Sequence, residues 1–115
     1  MITLTDHPFD PAEALRDFEK RAAGAGAIVS FTGLVRGSSK LGKVKTLHLQ
    51  AYPPMTERGI AKAAADANAR WSLDALMVIH RTGDLAPGEP IVFVATASAH
   101  RRAAFEAADF LMDYL

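Results

Sequence analysis

The sequence predicts a single-domain α+β fold with a largely antiparallel sheet and packed helices, and three observations carry that expectation. The apolar run 91–97 is short and rich in β-branched and aromatic residues, as a buried strand is, and 27–36 and 73–81 read as further apolar strands. Segments at 11–22, 55–71 and 103–115 carry apolar residues at helical spacing. Finally, Ala86-Pro87-Gly88-Glu89 has proline and glycine where a type II turn needs them, so its flanking strands join as a hairpin, without the crossover a parallel pair requires.

Taken in order, Ile2 to Thr5 alternates weakly and reads as a short first strand. Asp10-Pro11-Ala12-Glu13 then starts a helix: Asp10 caps it, Pro11 suits the first helical position and Glu13 can complete a capping box. Ala14, Leu15, Phe18 and Ala22 form its apolar face, and Gly24-Ala25-Gly26 ends it. In the strand 27–36, Gly33 suggests a bulge or a close backbone approach. Arg36 closes that strand beside a basic loop, Gly37 to Lys43, where it is as readily an anion contact as a solvated arginine. Val44 to Ala51 alternates and is expected to pair antiparallel with the preceding strand, with His48 as a hydrogen-bonded rather than ligating histidine. Tyr52-Pro53-Pro54 breaks it. The next helix carries Ile60, Ala64, Ala67 and Trp71 as its stripe, and Leu73 to Arg81 is the following strand.

The length of 115 residues suits one domain that can bury a core without disulfides or a structural metal. Half of the residues are hydrophobic, 23% are charged and the formal net charge is zero, so no global field points to nucleic acid or to an anionic membrane. Cysteine is absent. Any sulfur chemistry must therefore use sulfur brought by another molecule. No His, Asp or Glu accompanies His48 at metal-binding spacing, so no metal site is expected, and no cofactor is expected either. The N-terminus lacks a signal-peptide pattern and no run reaches the roughly 20 residues that span a bilayer, which suggests a cytoplasmic protein.

The chemistry is expected at the junction Ser98-Ala99-His100-Arg101-Arg102, between the strand 91–97 and the last helix. Ser98 is a good N-cap, which would make Ala99, His100 and Arg101 the first turn. That turn ordinarily favours acidic residues, because the helix dipole is positive there. A histidine and two arginines break the rule, and an anion seated among them explains why. Arg102 has a plainer role open to it, as a partner of Glu106 four residues on. In the last helix Phe105, Ala108, Met112 and Leu115 recur at helical spacing, and the end, Asp113-Tyr114-Leu115, carries no stop signal, so the natural chain is expected to continue. A different class of reading is a nucleic-acid module, with Phe31 and Phe93 as stacking platforms and Lys40, Lys43 and Lys45 on phosphates.

Several stretches taken together resemble the large, catalytic subunit of molybdopterin synthase. They are Phe31-Thr32-Gly33-Leu34-Val35-Arg36, Tyr52-Pro53-Pro54-Met55, Ile79-His80-Arg81-Thr82-Gly83, Pro87-Gly88-Glu89, Ser98-Ala99-His100-Arg101, Phe105-Glu106-Ala107 and Met112-Asp113-Tyr114-Leu115. The resemblance runs from about Phe9 to Leu115. It implies an α/β-hammerhead fold and a homodimer that binds two copies of a small ubiquitin-like sulfur-carrier subunit, giving a heterotetramer. That partner's C-terminal Gly-Gly tail carries a thiocarboxylate, which gives sulfur to cyclic pyranopterin monophosphate to form the molybdopterin dithiolene. It further implies that Arg36, His100 and Arg101 line the substrate pocket, with backbone at Leu34 and Val35 contributing. The family pattern commonly has lysine where this chain has Leu34, and continues past the Met-Asp-Tyr-Leu stretch into a tail with further lysines, so residues 1–115 are expected to lack that tail. A subunit that binds the anion and assembles without catalysing is the alternative within this resemblance.

Overall fold

The computed structural model describes residues 1–39, 42–43, 47–49 and 57–115. In chain order the elements are β1 (Ile2–Thr5), α1 (Pro11–Arg21), β2 (Ala27–Leu34), β3 (Ser38–Ser39), β4 (Gly42–Lys43), β5 (Leu47–Leu49), α2 (Glu57–Arg70), β6 (Leu73–Arg81), β7 (Gly83–Leu85), β8 (Pro90–Ser98) and α3 (Arg101–Met112). The main sheet has the order β1-β6-β8-β2, in which only β1 and β6 run parallel. The two ribbons β3-β4 and β5-β7 lie apart from it in the ladder. This is the α+β architecture, with a largely antiparallel sheet, that hairpin connections in place of crossovers predict.

The strand β8 is the axis of the molecule. It has a strand on each edge, and every residue from Val92 to Ser98 is buried. Its alternation sorts the core into two layers. Phe93, Ala95 and Ala97 pack with Met77 against Ala14, Phe18 and Ala22 of the α1 segment. Val92 and Val94 turn the other way, with Val78, to meet Ile60, Ala63 and Ala67 of α2 and Ala108 and Leu111 of α3. The small residues on α2 and α3 let both helices approach the sheet closely.

Local chemistry sets the element ends. The Asp10 carboxylate accepts from the N–H of Ala12 at 2.9 Å, and Pro11 takes the first helical position. In the turn after β7, Gly88 has φ of 87° and the Glu89 N–H donates to the Ala86 carbonyl at 3.1 Å, as a type II turn requires. The β2–β8 register shifts at Gly33/Leu34, the bulge that Gly33 signals.

Three expectations need correction. The described part of the 44–51 segment, Leu47–Leu49, pairs with Gly83–Leu85 and not with β2. Past the end of β2 the Val35 main chain is taken up by the turn before β8, its N–H donating to the Glu89 carbonyl and its carbonyl accepting from Gly88 N–H, both at 2.9 Å. His48 is nevertheless hydrogen-bonded as expected, its Nδ1 lying 2.6 Å from an Asp84 carboxylate oxygen. Second, Ser98 does not cap α3. It is the last residue of β8, paired with Ala27 and Leu73, and its hydroxyl donates to the Ser72 carbonyl at 2.8 Å. Sheet pairing outweighs the capping preference, so the helix begins at Arg101, with His100 as its N-cap residue. Third, the buried stripe of α3 is Ala104, Ala107, Ala108 and Leu111, and Phe105 is 60% exposed. The break at Tyr52-Pro53-Pro54 lies outside the described residues.

Candidate functional site

The end of β8 is fixed from three sides, and this places the cations that follow it. The Gly26 N–H donates to the Ser98 carbonyl at 3.0 Å, and a Cβ on Gly26 would stand 2.0 Å from the Ala99 oxygen. Only glycine fits that approach. The Ser98 hydroxyl ties the same point to Ser72. Two residues before Ser98 the buried Thr96 hydroxyl donates to the Ala104 carbonyl at 2.7 Å and holds the first turn of α3 against the strand.

Past this clamp His100 adopts an extended conformation, with φ of −129° and ψ of 149°, and its side chain makes no capping bond. The first turn holds no acidic residue. The N–H groups of that turn have no partner within the helix, and Arg101 and Arg102 belong to the same turn, the arrangement an anion favours. An open concavity of about 510 Å³ is lined by His100, Arg101, Arg102, Phe105 and Glu106. Within it Glu106 is already engaged: it accepts from Trp71 Nε1 at 3.2 Å and lies 4.0 Å from Arg102. Arg102 thus takes the partner its spacing suggested. Among the described residues neither Arg101 nor Arg36 has an acidic partner.

Arg36 is exposed and stands elsewhere. Ala27 pairs with Ser98 while Leu34 pairs with Pro90, so the two ends of β2 are about 24 Å apart at ~3.4 Å per residue. Arg36 lies past the Leu34 end, and His100 and Arg101 lie past the Ser98 end. Within one chain, then, His100 and Arg101 come together and Arg36 does not join them. Leu34 is 55% exposed, whereas the Val35 side chain is buried. The stacking role considered for Phe93 is excluded, because that ring is 1% exposed in the core. Phe31 is half exposed at the sheet edge, while Lys40 and Lys45 lie outside the described residues.

Two features were not anticipated. Phe105 and Glu106 line the concavity, although helical periodicity assigned Phe105 to the core. Arg81 is buried at the end of an apolar strand and paired with Glu89 at 3.4 Å. A charge that closes an apolar run, with an opposite charge just past the next turn, is the signal that could have found this pair. No helix among the described residues is long and apolar enough to cross a membrane.

The fold and the site define an α+β protein with arginines that have no acidic partner among the described residues and with no thiol of its own. The model of the family described as MoaE protein matches residues 4–115, and the chain belongs to that family. It is 55% identical over 114 residues to the molybdopterin synthase catalytic subunit of Cereibacter sphaeroides, covering 99% of this chain and 77% of that protein. The solved structure of molybdopterin cofactor biosynthesis protein E from Burkholderia multivorans matches with a TM-score of 0.84 at 36% identity, over 99% of this chain and 74% of that one. Molybdopterin synthase from Staphylococcus aureus matches with a TM-score of 0.83 at 30% identity, over 96% and 80%.

Proposed function

We propose that this chain is the catalytic subunit of a sulfurtransferase of molybdenum cofactor biosynthesis. It receives a small ubiquitin-like subunit whose C-terminal Gly-Gly thiocarboxylate carries the sulfur, and that sulfur passes to cyclic pyranopterin monophosphate to build the molybdopterin dithiolene. The observation that carries this is family membership across residues 4–115 in a chain that has no cysteine to hold sulfur itself. Arg36 and Arg101 hold the substrate phosphate or the negative charge that develops as the carbon–sulfur bonds exchange. His100 donates a hydrogen bond or moves a proton. Leu34 borders the pocket, and Val35 contributes by fixing the backbone that presents Arg36. The setting is the cytoplasm, on the strength of the family.

The separation of Arg36 from His100 and Arg101 is met by a homodimer that shares its sites. Among the described residues the strand β2 is the outer strand of the sheet; it carries no charged residue and exposes Ile28, Phe31 and Leu34. Natural sheets protect such an edge or pair it. Antiparallel pairing with β2 of a second copy, about a two-fold axis, sets the Leu34 end of one chain against the Ala27 end of the other. Arg36 then faces the junction that carries the second copy's His100 and Arg101.

The test is product formation from thiocarboxylated small subunit and cyclic pyranopterin monophosphate. Product from residues 1–115 alone supports catalysis and shows that a further lysine-bearing tail is dispensable. Bound small subunit without product favours the tail as a required part, and no binding contradicts the proposed function.

A further inference from the structure

The backbone that presents Arg36 is held by a network that begins at a buried charge. The Val35 N–H and carbonyl are both bonded to the 88–89 turn at 2.9 Å. The turn is braced in its own right: a Glu89 carboxylate oxygen accepts from Ala86 N–H at 3.1 Å and lies 3.4 Å from Arg81 Nη1. The Arg81 side chain is 3% exposed, and its Nη2 donates to the Asp84 carbonyl at 3.2 Å and to the Asp6 carbonyl at 3.5 Å. Its Nε is buried with no partner among the described residues, so the side chain keeps its place at a desolvation cost. A charge retained in this way is better explained by what its terminal nitrogens hold than by stability. What they hold is the turn, and what the turn holds is Val35, one residue from Arg36.

We propose that Arg81 and Glu89 are positioning residues for Arg36. The inference rests on the assignment of Arg36 to the substrate pocket. Loss of the ion pair frees the turn, Val35 loses its fixed partners, and Arg36 samples positions from which it no longer meets the phosphate.

The experiment is steady-state kinetics of the complete synthase, loaded with thiocarboxylated small subunit, for Arg81→Met and Glu89→Gln, each alone and combined with Arg36→Ala. Each single variant should raise the KM for the pterin about fivefold or more and leave kcat within about twofold, with Arg81→Lys recovering part of the loss. On Arg36→Ala neither variant should add more than about twofold, because there is no arginine left to misplace. An equal loss in both backgrounds, or an unchanged KM in folded protein, overturns the proposal. If Arg81→Met does not fold, Glu89→Gln decides alone, since its amide still accepts from Ala86 N–H at a side chain that is 36% exposed. An Arg36→Ala variant with unaltered kinetics shows instead that the pocket assignment itself has failed, and the positioning role with it.

Discussion

His100 and Arg101 stand where a helix ordinarily wants acidic groups, and the structure gives them no local reason to be there. Their neighbours Arg102 and Glu106 satisfy one another, so the charge left over belongs to Arg101. Arg101→Ala should therefore lower turnover at least about tenfold while circular dichroism and small-subunit binding stay unchanged. A second residue gives a prediction about pH. His80 is 3% exposed with Nδ1 2.8 Å from the Arg81 carbonyl oxygen. Burial pushes its pKa below the ordinary value of 6.5, partly offset by that hydrogen bond. Below about pH 6.5 the unfolded chain binds a proton that the native state refuses, so stability is full above that pH and falls as pH descends toward the native value. Denaturant midpoints at pH 7.5 and pH 5.5 should show the loss, and His80→Gln should reduce the difference between them. Arg36, His100 and Arg101 were legible as candidates because charge at a strand end or a helix start contradicts local preference. The Arg81–Glu89 pair leaves no periodic trace, and its one mark in the sequence is a charge that closes an apolar run with an opposite charge past the following strand.

At the scale of elements, the strands and turns were the readable part. The strand Leu73–Arg81 ends where its apolar run ends, and Gly33 and Gly88 mark the bulge and the turn through backbone chemistry that few other residues can supply. Pairing was less readable. Gly83–Leu85 holds a glycine and an aspartate and has no strand signal of its own, so its match to Leu47–Leu49 follows from tertiary contact alone. The start of α3 slipped for a related reason, because the sheet claims Ser98 on both sides. The tight fit beneath that point is testable. Gly26→Ala would drive a Cβ to 2.0 Å from the Ala99 oxygen, which must move the junction. Destabilisation of about 1–3 kcal/mol by urea unfolding is expected, together with reduced turnover as His100 and Arg101 shift. An unchanged midpoint would show that the 26–99 approach can relax freely.

The whole molecule has two cationic ends joined by a β2–β8 ribbon about 24 Å long, and no single chain unites them. The family resemblance implies one pocket for Arg36, His100 and Arg101, and a sequence holds no register to show whether one chain or two supply it. The register that separates them within a chain also suggests how they meet, since reversing β2 against a second β2 exchanges its ends. The most direct test is complementation between two impaired variants, Arg36→Ala and Arg101→Ala, mixed under conditions that let subunits exchange and assayed with thiocarboxylated small subunit. Sites shared across a homodimer leave each mixed pair with one intact site, so random exchange should restore about a quarter of native turnover. Activity no higher than that of either variant alone, with exchange verified, would contradict a site built from two copies.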